Sequence, residues 1–116
     1  MIDVAEKIKI FAKQNEFVWI AGAIGSLYEA EIGQEQKDLI LQGDYDIINL
    51  GGLFTAPKNG NPMTGQLSIT IAAAGIGRVY GGAVLGPLIA QSVVQIITAF
   101  IWNSVEDGSE EQDNDI

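Results

Sequence analysis

The predicted fold depends on one stretch, Leu67-Ser-Ile-Thr-Ile-Ala-Ala-Ala-Gly-Ile-Gly-Arg78-Val-Tyr-Gly-Gly-Ala-Val-Leu-Gly-Pro-Leu-Ile-Ala-Gln-Ser-Val-Val-Gln-Ile-Ile-Thr-Ala-Phe-Ile-Trp102. Arg78 is its single charge, and the apolar composition continues to Val105. About eighteen apolar residues without charge suffice for a helix that crosses a bilayer. The sequence therefore predicts a mainly α protein, with an apolar helical segment over 67–105 and a single transmembrane span at about 79–102.

The ends of this span carry residues typical of membrane interfaces. Arg78 and Tyr80 at one end and Trp102 at the other are the predicted interface anchors. All six Lys and Arg residues precede the span. The positive-inside rule then predicts a cytoplasmic N-terminus and an acidic C-terminus outside the membrane.

Residues at alternating spacings of four and three form a heptad seam along the predicted helix. Small residues at its start allow close helix contact, and polar residues in its second half require hydrogen-bond partners. The alternative is that such residues fall at these spacings by chance in a glycine-rich helix. We predict self-association through the seam, with Gln91, Gln95 and Thr98 lining any pore. The seam consists of Gly77, Gly81, Val84, Leu88, Gln91, Gln95, Thr98 and Trp102.

Pro87 leaves two geometries open within the apolar segment. One is a single helix kinked at the proline, and the other is a helical hairpin with arms 67–84 and 88–105. We favour the kinked single span. A third interpretation needs no membrane, because the mean hydropathy of the whole chain is only +0.21. In that interpretation the apolar helix is buried inside a soluble assembly.

The remaining chain is predicted as an N-terminal helical region (1–43), a loop (44–66) and a disordered acidic tail (106–116). Asp3 is a plausible N-cap for a first helix with an apolar stripe at Val4, Ile8 and Phe11. The lysines of this helix form either a solvated face or a contact to anionic lipid. Residues 17–28 and 36–42 are predicted as short helices, and the tail could dock to a basic partner.

Composition excludes several functions. The net charge of −9 and the pI near 4.1 argue against nucleic acid as a partner. The chain has no cysteine and no histidine, so no thiolate or imidazole can bind a metal or act in catalysis. The glycines from Gly75 to Gly81 lack the dinucleotide-binding spacing, and Asp44 with Asp46 is too little for a calcium loop. We predict no enzyme activity, no cofactor and no metal site.

Together these features predict a small, non-enzymatic membrane protein that self-associates and is structural or pore-forming. In architecture it resembles phage holins and small virion membrane proteins, although holins commonly end in a basic tail and this chain ends in an acidic one. The expected partners are other copies of the chain, the lipid bilayer and other assembly subunits. The alternative is a soluble structural subunit of a virion or another large assembly, with its apolar helix buried at subunit interfaces.

Overall fold

The computed structural model describes residues 1–15, 17–55, 57 and 60–100. Within them the chain forms one helix followed by six strands, and every strand pair is antiparallel. The sheet order is β2-β5-β4-β3-β1-β6, with an additional pairing between β2 and β3. The elements are α1 (Val4–Lys13), β1 (Phe17–Ile24), β2 (Ser26–Gln34), β3 (Lys37–Thr55), β4 (Thr64–Ala73), β5 (Val79–Ala90) and β6 (Gln95–Phe100).

The long strand β3 shapes the sheet. Its first half pairs with β2, from Lys37 opposite Gln34 to Asp46 opposite Ser26. Its end pairs with β1, where Thr55 lies opposite Phe17. Because β2 also pairs with β5, the sheet closes on itself through β2, β3, β4 and β5. Strands β1 and β6 extend this closed part as an antiparallel pair.

The core lies between α1 and the inner face of the sheet. The predicted N-cap is confirmed: the Asp3 carboxylate accepts hydrogen bonds from the backbone N–H groups of Ala5 (3.0 Å) and Glu6 (3.3 Å). The same oxygen accepts a 3.0 Å bond from the N–H of Leu88, which fastens the start of the helix to β5. The core includes Val4, Ile8, Val18, Ile20, Leu27, Ile32, Leu50, Phe54, Leu67, Ile69, Ile71 and Leu88.

The prediction of a mainly α fold is wrong, and so is the long apolar helix over 67–105. Its described part forms β4, β5 and β6, and no helix within the described residues is long and apolar enough to cross a membrane. Leu67, Ile69 and Ile71 are buried while Ser68 is exposed, a period of two that belongs to a strand. In β5 the side chains on both faces are partly buried, so both faces are apolar and no alternation occurs in the sequence. The segment is therefore continuously apolar, as a membrane helix would be.

Neither predicted effect of Pro87 occurs. Its strand β5 pairs with β4 only from Val79 to Ala83, so no partner on that side needs the N–H that proline lacks. On the other side the register with β2 shifts between the pairs formed by Ala30 and Ile32, and Pro87 falls in this irregular part. The chain reverses earlier than the predicted hairpin, in the turn between β4 and β5.

The predicted short helices after α1 are also strands. Residues 17–28 form β1 and the start of β2, and 36–42 contribute the start of β3. Most of the predicted loop 44–66 is the second half of β3 and the first residues of β4. Pairing with distant strands overrides the local preferences from which helices and a loop were predicted. The acidic tail 106–116 lies outside the described residues.

Candidate assembly and nucleic-acid interface

Large apolar side chains are exposed on the outer face of the β3-β1-β6 part of the sheet. Trp19 is opposite Leu53 on one side and Ala99 on the other, so these residues form a row across three strands. The exposed fractions of Trp19 and Leu53 are 56% and 49%. Most tryptophan side chains in a folded domain are far more covered, so this row marks a surface that is unusual for a monomer.

Ile97 extends the row along β6. It pairs with Gly22 of β1, and its Cδ1 atom lies 3.6 Å from where a Cβ on Gly22 would sit. The register between the two strands shifts at Ala21, which keeps Ile97 on the outer face, where it is 51% exposed. We call the surface formed by Trp19, Leu53, Ile97 and Ala99 the assembly face.

The strands around the assembly face carry no charged residue. This holds for β1, β4, β5 and β6, and for β3 after Asp46. The charges of the described residues lie on or beside α1, on β2, on the first half of β3 and at Arg78 in the turn before β5. Charged residues therefore lie away from the assembly face. On its β4 side the apolar surface is bordered by the neutral polar residues Gln66 and Ser68.

The densest group of cations lies on α1. Lys7, Lys9 and Lys13 are all exposed, and none of them forms an ion pair with another described residue. Lys7 lines a groove between α1 and the start of β6, and Lys9 lies beside a smaller pocket near Phe54. The other described cations are Lys37, the first residue of β3, and Arg78, in the turn before β5.

The hairpin of β2 and β3 carries most of the acidic residues that the structure describes, whereas α1 carries most of the described lysines. Six acids lie on the hairpin against one lysine, and Glu29 accepts a 3.0 Å hydrogen bond from the side-chain amide of Gln42. Among the described residues, no three acidic side chains are grouped closely enough to hold a metal ion. The hairpin is thus a solvated, negatively charged arm.

The structure separates the residues of the predicted seam. Gly77 lies in the turn before β5, whereas Gly81, Val84 and Leu88 lie on β5 itself. Gln91 follows β5, Gln95 and Thr98 are on β6, and Trp102 lies outside the described residues. The eight residues therefore share no helical face. Their part in self-association stays a prediction, and it loses the helical geometry on which it was based.

The predicted interface anchors have other surroundings. Arg78 is exposed in the β4–β5 turn, and its carbonyl oxygen accepts a 2.7 Å hydrogen bond from the N–H of Ala73. Tyr80 packs edge-on against Tyr45 of β3, with ring centroids 6.1 Å apart. Both residues therefore help to hold the β4–β5 end of the sheet.

Sequence reasoning missed the residues of the assembly face. Trp19 lies in the run Val18-Trp19-Ile20, where an outward residue is as apolar as its inward neighbours, so alternation gave no signal. The available signal was the position of Trp19 and Leu53 within two apolar segments too short for membrane spans. The lysines of α1 are visible in the sequence, where they predict only a solvated face or a lipid contact.

Solved structures share this fold. A protein of undetermined function from Salmonella superposes with a TM-score of 0.74 at 18% identity, over 86% of this chain and 70% of that one. A plant- and prokaryote-conserved (PPC) protein from Pyrococcus horikoshii gives a TM-score of 0.70 at 24% identity, over 89% of this chain and 73% of that one. A third, from Bacteroides thetaiotaomicron, is provisionally assigned as a DNA-binding protein; its TM-score is 0.72 at 17% identity, with 89% and 73% of the chains covered.

Sequence relatives come from Arabidopsis thaliana. AT-hook motif nuclear-localized protein 9 is 34% identical over 107 residues, which cover 86% of this chain and 30% of the relative. AT-hook motif nuclear-localized protein 18 is 31% identical over 104 residues, covering 88% of this chain and 38% of the relative. The chain thus spans about a third of the length of these relatives.

These comparisons correct the predicted function, partners and location. The membrane, pore-forming and virion interpretations are wrong, because the relatives are AT-hook motif nuclear-localized proteins and no described helix could span a bilayer. The exclusion of nucleic acid is also wrong, since it conflicts with the AT-hook relatives and with the DNA-binding assignment of the Bacteroides structure. It relied on net charge, which does not report where on the surface the lysines lie.

The family follows from a match over nearly the whole described chain. The sequence profile of the Plants and Prokaryotes Conserved (PCC) domain matches residues 2–101, which include α1 and all six strands. The chain belongs to the Plants and Prokaryotes Conserved (PCC) domain family.

Proposed function

We propose that this chain binds DNA as a homo-oligomer, with copies joined through the assembly face and the lysines of α1 contacting phosphates. The observation that carries the proposal is the exposed, charge-free face around Trp19. Its DNA-binding part is supported by the AT-hook relatives and by the grouping of lysines on one helix. The proposal includes no catalytic activity.

A second copy of the chain is the occupant that fits the assembly face. DNA or an anionic membrane would require cations there, and a basic protein would require acids, yet the surrounding strands have neither. A second copy brings an equally uncharged apolar face, while the net charge of −9 disfavours contacts through the acidic hairpins. Trp19 lies between Leu53 and Ala99, a central position typical of residues that dominate binding energy.

The edge of the sheet supports the same conclusion. Within the described residues β6 pairs only with β1, so the other edge of β6 presents unpaired backbone groups beside Ile97 and Ala99. Monomeric proteins protect such edges with charged residues or proline, and β6 has neither. An interface that covers Ile97 and Ala99 would protect this edge as well.

Self-association also explains how an acidic protein can bind DNA. One copy offers three lysines on α1, and its overall negative charge opposes the approach of phosphates. Joining copies multiplies the lysine-bearing helices, and each further contact forms at the high local concentration set by the first. The proposal therefore predicts weak binding by one copy and useful binding by the oligomer.

The test is the salt dependence of duplex DNA binding, measured by fluorescence anisotropy. Three phosphate contacts per engaged copy give a slope of log K against log salt of about −3, and two engaged copies give about −5. Replacing Lys7, Lys9 and Lys13 together by Gln should weaken binding and flatten the slope. Lys37→Gln is the matched control, because it removes an exposed cation from the acidic hairpin. Equal binding by the triple variant and the wild type would contradict the assignment of phosphates to α1.

A further inference from the structure

A second apolar surface lies on the opposite side of β1 and β6 from the assembly face. Here α1, β1 and residues 90–98 line a groove of about 520 Å³. Strand alternation separates the two surfaces, because Ile96 and Thr98 line the groove while Ile97 lies on the assembly face. Sites for small molecules in proteins have volumes of about 300–1,000 Å³, so the groove has the size of a ligand site.

The groove lies between one face of the helix and the inner face of the sheet. Val4, Lys7, Ile8 and Phe11 line it from α1, at the spacings of three and four residues that place side chains on one side of a helix. Ile20 lines it from β1. Apolar side chains make up most of the lining, and Lys7 is its one charged residue within the part of the chain that the structure describes.

The backbone of the sheet beside the groove offers nothing to a bound peptide. Ile20 is paired with Gly52 of β3 on one side and with Thr98 of β6 on the other. A peptide in the groove would therefore bury its N–H and C=O groups against apolar side chains, where each group without a partner costs free energy. A hydrocarbon chain has no such groups, so the lining favours a hydrocarbon.

The turns of a second copy of the chain fit the groove less well than a hydrocarbon does. Ile76 protrudes from the β4–β5 turn with 75% exposure, but Arg78 follows two residues later and would bring a second cation toward Lys7. The turn of the β2–β3 hairpin carries Glu35, whose charge would lose its hydration in an apolar groove.

Lys7 determines the charge of the ligand. It is exposed at the wall of the groove and forms no ion pair with another described residue. We propose that the groove binds a free monocarboxylate with an unbranched apolar chain, with the chain along α1 and the carboxylate at Lys7. Charge complementarity then selects the carboxylate over an alcohol or an amine with the same chain.

The helix sets the length of the chain. Side chains in a helix lean toward its N-terminus, so the ammonium group of Lys7 lies toward Val4 and the ligand chain runs from there toward Phe11. These two residues are separated by about 10 Å along the helix axis. An extended chain of about eight carbons has the same length, at about 1.3 Å per carbon. Because each buried methylene tightens binding about fourfold, octanoate should bind about sixteenfold more tightly than hexanoate.

The first test locates decanoate on the full-length protein by NMR. The protein carries ¹³C-labelled methyl groups, and decanoate stays below the concentration at which it forms micelles. We expect nuclear Overhauser effects from the decanoate chain to the methyl groups of Ile8, Val94 and Ile96. Ile97 is the control, because it is 51% exposed on the opposite face of the same strand as Ile96. Effects of equal strength at Ile96 and Ile97, or none at Ile96, would overturn the proposal.

The second test concerns the head group at pH 7. Lys7→Gln should weaken decanoate binding about threefold, the size typical of an exposed ion pair, and leave decanol binding unchanged. Lys7→Glu should invert the preference, so that decylammonium binds more tightly than decanoate. Lys37→Gln is the matched control, because it removes the same charge from the start of β3, outside the groove. Equal weakening by Lys37→Gln, or a Lys7→Glu variant that still prefers decanoate, would overturn the role of Lys7.

One consequence rests on the proposed DNA binding. A carboxylate at Lys7 takes one lysine of α1 away from phosphates, so saturating decanoate should make the salt slope of DNA binding shallower by about 0.9 for each engaged copy. In the Lys7→Gln variant decanoate should leave the slope unchanged. An unchanged slope in the wild type would overturn this competition. The NMR samples contain no DNA, so they still test the ligand site if DNA binding fails.

Discussion

At the residue scale, Gly82 marks the closest approach between β5 and β2. A Cβ at this position would overlap the carbonyl oxygen of Gly33 on the neighbouring strand. The spacing of Gly82 and Gly86 in the sequence predicts close packing between helices. The two glycines do allow close packing, but between the strands β5 and β2 and not between helices. A Cβ on Gly86 would likewise meet the side chain of Glu31 on β2.

Gly82→Ala should lower the free energy of unfolding by about 2 kcal/mol or more, because β5 must move away from β2 to admit the methyl group. Urea denaturation measures the loss. Gly51→Ala is the matched control, since its Cβ would lie 3.6 Å from the carbonyl oxygen of Ile20, an ordinary contact. It should change the stability by less than about 1 kcal/mol. Similar losses in both variants would show that β2 and β5 are not held this closely.

The turn between β2 and β3 contains two residues with positive φ. Glu35 has φ +51° and Gln36 has φ +65°, the left-handed conformations that a two-residue hairpin turn of type I′ requires. Glycine or asparagine adopts this conformation with less strain than glutamine.

Gln36→Gly should therefore stabilise the protein by about 0.5–1 kcal/mol, after allowance for the extra freedom of glycine in the unfolded chain. Asp38→Gly on the adjoining strand is the control and should destabilise by a similar amount, because its backbone φ is not positive. Thermal unfolding of the two variants should shift in opposite directions. A lower melting temperature for Gln36→Gly would contradict the turn geometry.

At the scale of elements, Asp3 joins the helix to the sheet. Its carboxylate caps two N–H groups of α1 and accepts a third hydrogen bond from Leu88 on β5. Asp3→Ala should cost about 1–3 kcal/mol in unfolding free energy, because it removes the cap and leaves a part-buried N–H of β5 without a partner.

Asp3→Asn is the comparison that isolates the hydrogen bonds, because asparagine keeps an acceptor oxygen and is an equally good cap. It should retain most of the stability that Asp3→Ala loses. Urea denaturation at constant salt compares the two variants. If both lost the same amount, the carboxylate charge and not the hydrogen bonds would hold α1 to β5.

The sequence predicted α1 but not the strands, for a physical reason. The signals that predict the helix are local. They are a cap at Asp3 and an apolar stripe that includes Val4 and Ile8, and each involves residues only a few positions apart in the sequence. Strands gain stability from partners far along the chain, as when Ser68 of β4 pairs with Gly51 of β3 and Ala83 of β5. Alternation was visible only at the start of β4, and the glycines and alanines that follow suit helices and sheets alike.

At the scale of the whole molecule, charge is sorted by region. Within the part of the chain that the structure describes, acids collect on the β2–β3 hairpin and the lysines of α1 have no ion-pair partner. The strands around Trp19 carry no charge there. The net charge does not show this arrangement, because it does not say where on the surface the charges lie. The proposed function depends on the separation, with one surface joining copies and another contacting phosphates.

Sedimentation equilibrium of the wild type and Trp19→Glu tests self-association through the assembly face. We expect the wild type to be a defined oligomer and Trp19→Glu to be mainly monomeric, because it places a charge at the centre of an apolar interface. Ile76→Glu is the matched control, since Ile76 is 75% exposed in the β4–β5 turn away from the assembly face, and it should leave the oligomer unchanged. A wild-type protein that stays monomeric, or a Trp19→Glu variant that keeps the wild-type mass, would contradict assembly through this face.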